Sequence, residues 1–212
     1  MSISIPLNMA QEPTTQAERK DAVANRQRIL TAARQLFAEQ GPEAVSMSDI
    51  VKAVGIGRGT LYRHFPDKGE LCLGVMDEEI AAFQNEVLAQ LRQKTAVSAS
   101  TMDKLDAVLK QFVAFIETYA PLLREAQHQG LHYFASGKGV PHYWQQATVL
   151  GLLKTAVAHG EIPPDADIEY LSEAIVALLN AHLFHYQRTV RGYSPERISA
   201  GLRRFVARLG EQ

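Results

Sequence analysis

Residues 26–68 read RQRILTAARQLFAEQGPEAVSMSDIVKAVGIGRGTLYRHFPDK, and three short helices can be laid on them. In the first, Ile29, Leu30, Ala33, Leu36 and Phe37 recur on one face of a 3.6-residue period. Gly41-Pro42 stops it, glycine at the end of a helix and proline beyond it. Ser46 is a capping residue for the second helix, and Asp49 three places on is a shortened form of the capping-box acid. Ile50, Val51 and Val54 give that helix its buried face, and Gly55-Ile56-Gly57 makes a tight turn with Ile56 as an apolar plug. The third helix runs from Gly57 or Arg58 to His64. Leu61 and Phe65 face the core, which leaves Arg58, Gly59, Thr60, Tyr62 and Arg63 outside. Pro66 ends it and Asp67 caps the next helix.

This is the pattern of a helix-turn-helix, whose second helix enters the DNA major groove by its N-terminal residues. Arginine pairs with guanine O6 and N7. Threonine, tyrosine and backbone amides hold phosphates, and glycines let the backbone approach a duplex closely. Any one arginine on an exposed helix reads as merely solvated; the spacing of the whole set is what points to DNA. Gly55 and Gly57 are not a dinucleotide fingerprint, because the third glycine is missing at the right offset and a helix, not a strand, precedes them.

At these residues the chain resembles the TetR family of bacterial transcriptional regulators. The match lies in Ile29, Ala32, Ala33, Leu36, Phe37, Gly41, Ser46, Ile50, Ala53 and Gly55, and in the specific run GTLYRHFPDKGEL from Gly59 to Leu71. The resemblance covers roughly residues 22 to 72. It implies a homodimer in which each protomer has an N-terminal DNA-binding domain and an all-helical effector domain. The DNA-binding set expected by position is Ser46, Ser48, Gly57, Arg58, Gly59, Thr60, Tyr62, Arg63, His64 and Lys68. Within it Arg58, Gly59 and Thr60 approach base edges, while Ser46, Tyr62, His64 and Lys68 hold phosphates. One departure is Gly57, where the family often has a serine or another capping residue; glycine costs only a few tenths of a kcal/mol there.

The chain is 212 residues long with formal net charge −1, which alone argues nothing about nucleic acid. Its distribution is uneven: residues 18–68 carry nine basic and six acidic side chains, so the head is positive and the rest acidic. The expected division is a flexible arm at 1–21, a helix-turn-helix domain at 22–68 and a helical ligand-binding and dimerisation domain at 69–212. The single cysteine, Cys72, excludes an internal disulfide and fits a reducing cytoplasm; a buried thiol is the expectation. The apolar start has no basic n-region of a signal peptide, and no run is long enough for a membrane span.

After Lys68 the helical period never yields to strand alternation, so the fold class is all-α. One helix is expected through Cys72, Met76, Ile80, Phe83, Val87 and Leu91, and another through Leu105, Val108, Phe112 and Tyr119. A short helix is expected to open at Pro121 and run to His128, and a further one to follow from Pro141 to His159-Gly160. Residues 168–188 are apolar on more than one side, which calls for burial all round. Ser194-Pro195 starts the last helix. In the resembled family the last two helices form a four-helix dimer interface, and Ile175, Leu179, Leu183, Leu202 and Phe205 are the expected contacts.

The middle helices concentrate aromatics and histidines. Phe112, Phe115, Tyr119, His128, Tyr143, Trp144 and His182 are the expected walls of a pocket for a small apolar or aromatic effector; ordinary core with polar edges is the competing reading. His128 with His132, or His182 with His185, share a helix face at metal-ligand spacing. No cysteine and no HExxH motif supports a metal, so neither metal nor cofactor is expected. No nucleophile elbow, phosphate loop or paired catalytic acids points to an enzyme. The expected function is a sequence-specific regulator, a repressor released from double-stranded operator DNA by its effector. The alternatives are a non-specific architectural DNA binder, against which the near-neutral charge and large apolar body argue, and a metal-responsive regulator using the histidines.

Overall fold

The computed structural model describes residues 16–92, 100–128 and 140–208. His132 lies outside them, as do residues 1–15, 93–99, 137–139 and 209–212. All regular structure among the described residues is helical: α1 Gln16–Gln40, α2 Met47–Val54, α3 Arg58–His64, α4 Lys68–Val75 and α5 Asp77–Arg92. Then come α6 Thr101–Gln127, α7 Val140–Ala158, α8 Ile168–Ala177, α9 Ala181–Thr189 and α10 Pro195–Ala207.

Two hydrophobic cores divide the chain. The first joins Ile29, Leu30, Ala33 and Phe37 of α1 to Ile50 and Val54 of α2, Leu61 of α3, and Phe65. It also takes in Leu71, Cys72 and Val75, so α4 adds to the core of the head while it also packs on α6. The second core begins at Met76 and wraps α5 and α7–α10 around α6. Of the expected arm at 1–21, residues 16–21 are already helix.

The caps follow from local chemistry. Ser46 and Asp49 form a complete capping box on α2, Asp67 caps α4 by accepting from the Glu70 amide, and Ser194 caps α10 ahead of Pro195. Gly55 ends α2 at φ +72°, the left-handed region that glycine enters without strain.

Three boundaries depart from the periodic reading. The helix expected through Cys72 and Leu91 breaks at Met76. There Arg34 donates to the freed Val75 carbonyl at 3.3 Å and Arg26 pairs with Asp77 at 3.2 Å, so two side chains of α1 brace the break. The helix expected at 168–188 breaks at Leu178–Asn180. Asn180 accepts from the His182 and Leu183 amides while Gln127 Oε1 takes the Ala181 amide, so every N–H of the new first turn has a partner. Asn180→Ala should therefore cost about 1 kcal/mol in chemical denaturation; a midpoint equal to that of the unaltered chain would show that the break is set by packing alone. Third, α6 runs on through Pro121 rather than restarting there. The lost backbone bond is offset by burial of Phe115, Ile116, Leu123 and Ala126 on either side.

Candidate nucleic-acid interface and effector cavity

The helix-turn-helix presents its predicted face to solvent. Leu61 and Phe65 are buried, whereas Gly57, Arg58, Gly59, Tyr62 and Arg63 are exposed and Thr60 is half-buried. No side chain caps α3 at Gly57. A Cβ at Gly57 would meet only Thr60 Oγ1 at 4.0 Å, and one at Gly59 nothing within 4 Å. Nothing inside the protein demands these glycines, and what they leave open is room for another molecule against the backbone.

The cations sort into braces and free groups. Arg26 lies 4.5 Å above the Phe65 ring besides pairing with Asp77. Arg28 donates to the Val54 carbonyl at 2.8 Å, and Arg34 to Val75. These three arginines of α1 are committed to contacts within the fold. Arg58 instead reaches along the outer face, where it donates to Ser48 Oγ at 3.0 Å, so Ser48 on α2 fixes the direction of the guanidinium.

Two expected phosphate contacts are engaged within the protein. Ser46 Oγ donates to Asp49 Oδ2 at 2.6 Å and accepts from the Asp49 amide, an arrangement that holds the Asp49 carboxyl below its ordinary range. Lys68 Nζ sits 2.8 Å from Glu125 of α6 and donates to the Glu43 carbonyl at 3.4 Å.

His64 has its Nε2 buried with no hydrogen-bond partner. Burial first, then the charges of Arg63 and Arg26, hold its imidazole below the ordinary histidine value. The folded pKa is thus lower than the unfolded one, and the unfolded chain takes up this proton first on acidification. Its stability contribution is intact above about pH 6.5 and is lost as the pH falls from there toward the folded pKa. His64→Gln should flatten that acid-side decline in urea midpoints; an unchanged decline would assign it to other groups.

The aromatic set expected to wall one pocket divides. Phe112 and Phe115 are buried, and with Phe83 they form a packed cluster: Phe83 stacks on Phe115 at 4.4 Å between centroids and meets Trp144 edge-on at 6.0 Å. Tyr119 extends this cluster at 4.6 Å from Phe115. His128 and His182 face each other with centroids 6.3 Å apart. Tyr143 lines a different space, a cavity of about 700 Å³ between the end of α6, α7 and α8. Its other walls include Gln127, His142, Tyr170, Glu173 and Asn180 over a floor of Ala174 and Val176. These polar residues carry no periodic signature and the sequence reading missed them. Trp144 lines a second cavity of about 490 Å³, with Leu88, Leu91, Gly151 and Leu152. The expected site is therefore core at its centre, with two cavities on either side.

The expected dimer contacts divide as well. Ile175, Leu179 and Leu202 are buried inside the protomer's own core, whereas Leu183 and Phe205 are exposed. Leu178, Tyr186 and Val190 join them as exposed large apolar residues that the sequence reading did not select.

A seven-residue helix offering an arginine and two open glycines, propped by a second helix across a glycine turn, defines a helix-turn-helix DNA-binding domain. The family model of bacterial regulatory proteins, tetR family, matches residues 29–75, the two helices, the turn and α4. Residues 29–75 thus match the DNA-binding domain of the TetR family. An HTH-type transcriptional regulator of Staphylococcus aureus (strain bovine RF122 / ET3-1) is 54% identical over 65 residues, 31% of this chain and 35% of that protein. The match thus spans about a third of the curated relative's length. The fold extends further. FadR of Thermus thermophilus, a TetR-family repressor solved with lauroyl-CoA, superposes with TM-score 0.68 at 18% identity, over 85% of this chain and 92% of that one. FadR of Bacillus subtilis, solved with stearoyl-CoA, gives TM-score 0.63 at 17% identity, over 85% and 97%. Among the described residues no helix is long and apolar enough to cross a membrane.

Proposed function

We propose that the chain is a homodimeric transcriptional repressor that binds a near-palindromic operator and leaves it when a small, largely apolar effector enters the body. The observation that carries the reading is the exposed face of α3, with Arg58 held outward by Ser48 and open backbone at Gly57 and Gly59. Base reading falls to Arg58 and Thr60; Tyr62, Arg63 and His64 lie where the DNA backbone would pass.

The dimer reading is supported by Leu178, Leu183, Tyr186, Val190 and Phe205, all exposed on or beside the last two helices. Scattered apolar residues are ordinary on a surface, and a set of this size on or beside the last two helices is what an interface between protomers would use.

The effector reading is supported by the 700 Å³ cavity, which lies within the roughly 300–1,000 Å³ common for small-molecule sites. Two fold relatives were solved with acyl-CoA molecules, which suits an apolar effector. The cavity also touches the last turn of α6 through Gln127, and that turn contacts the head. An effector can shift DNA binding only if it binds one conformer better than the other. A coupling of about 1–3 kcal/mol would lower operator affinity about 5- to 150-fold. The chain's one tryptophan, Trp144, borders the neighbouring cavity and reports on the body. Apolar compounds, acyl-CoA thioesters among them, are screened for a change in its emission, and each that binds is tested for release of operator. If every compound that binds the body leaves operator affinity untouched, the release mechanism fails.

A further inference from the structure

The last turn of α6 reaches from the body into the head. Leu122 packs against both hydrophobic cores. Two residues on, Arg124 pairs with Glu43 in the turn between α1 and α2 at 2.5 Å, and Glu125 pairs with Lys68 at the start of α4 at 2.8 Å. Lys68 also donates to the Glu43 carbonyl, which ties the two pairs into one network. Lys68 and Glu125 are each only 20% exposed, so that pair is shielded from solvent more than ordinary surface ion pairs, while Arg124, also at 20%, meets the more open Glu43 at 55%. The signs cross: the body offers one cation and one anion, and the head answers with one of each.

We infer that Arg124 and Glu125 are positioning residues for DNA recognition: through Glu43 and Lys68 they fix the angle of the reading head on the body. The physical need is plain. A dimer reads two half-sites at once only if its two recognition helices are held at the spacing of the major grooves. The head meets the body at the Met76 break, braced there by Arg26 and Asp77, and through apolar packing of α4 and Leu122 on α6. Two crossed ion pairs at the start of α4, the end away from Met76, add directional contacts to this packing, and contacts at both ends of α4 fix an angle. The pairing also gives Lys68 a role that does not depend on phosphate. The inference rests on the DNA-binding reading and requires nothing of the effector.

The test is the double variant Arg124→Gln/Glu125→Gln, which leaves net charge unchanged and helix propensity nearly so. An operator is first selected from random duplexes with the unaltered chain, and variants of it are made with the half-sites moved by one or two base pairs. The double variant should lose about 2- to 30-fold in affinity for the selected operator and discriminate less between spacings, while its affinity for random duplex stays the same. Unchanged operator affinity and spacing preference would overturn the inference. So would an equal loss on operator and random duplex, because a positional constraint matters only where two half-sites are met together.

A second readout needs no operator. Spin labels at Gln40→Cys in the head and Lys154→Cys in the body report the head-to-body distance, with labelled chain diluted in unlabelled. Native Cys72 is fully buried, and its thiol, pushed up to about 12, does not compete for label. The distance distribution should broaden in the double variant, and a distribution as narrow as that of the parent overturns the inference. If the unaltered chain selects no operator, the functional reading fails while the distance measurement still decides this one.

Discussion

Leu183→Glu combined with Phe205→Glu is expected to abolish the dimer and with it operator binding. Both side chains are exposed on the protomer, at 36% and 45%, so the charges enter no core. In the dimer they would face a partner across an apolar contact, where unpaired buried charge is strongly unfavourable. A monomer contacts one half-site and loses the advantage of the second, a deficit of about 100-fold or more. The expected result is a folded monomer by sedimentation, helical by circular dichroism, with residual affinity resembling that for random DNA. The choice of residues matters. Leu202→Glu would put a charge into the protomer's own core, where Leu202 is 6% exposed, and the resulting unfolding would say nothing about assembly. A soluble dimer that still holds operator in the Leu183/Phe205 variant would place the interface on another surface.

Arg58→Ala is expected to cost about 1–3 kcal/mol on the operator and to relax the choice of base at one position in each half-site. The guanidinium is exposed and held by one neutral hydrogen bond to Ser48, so a guanine edge can take it over without stranding a buried partner. Stability should be unaffected, because Arg58 braces nothing. Arg63→Ala, on the same helix but toward its end, should instead weaken binding on all sequences alike and reduce the salt slope. An equal loss on operator and random duplex in Arg58→Ala would remove Arg58 from base reading.

The parts of this molecule legible in its sequence are those fixed by neighbours in the chain. Ser46 with Asp49, Asp67, Gly55 and Ser194-Pro195 act over one to four residues, and each does what its position predicts. The breaks at Met76 and Leu178–Asn180 are different. The side chains that stabilise them, Arg26, Arg34 and Gln127, come from helices distant in sequence, and periodicity continues through both sites. Pro121 shows the reverse: a local breaker is carried inside α6 because packing on either side outweighs it.

The same limit applies to the sites. The exposed face of α3 follows from the register of Leu61 and Phe65. Charge counting cannot tell the arginines of α1, which brace the fold, from those that face outward, because both are equally basic in composition. Aromatic residues mark apolar volume but not whether it is filled. Phe83, Phe112 and Phe115 close upon one another, and the open space lies among Gln127, Glu173, Tyr170 and Asn180, side chains that two separate helices and a turn bring together.

The central claim is that two α3 helices of a dimer read DNA sequence in the major groove. Selection from a pool of random duplexes, followed by hydroxyl-radical footprinting at two salt concentrations, tests it most directly. The account predicts a near-palindrome whose half-sites lie about 34–36 Å apart or a multiple of that. The preference should persist as salt rises, and Arg58→Ala should blur it at one base pair per half-site. Enrichment of no sequence, with binding that fades uniformly with salt, would contradict the account and leave a non-specific electrostatic DNA binder in its place.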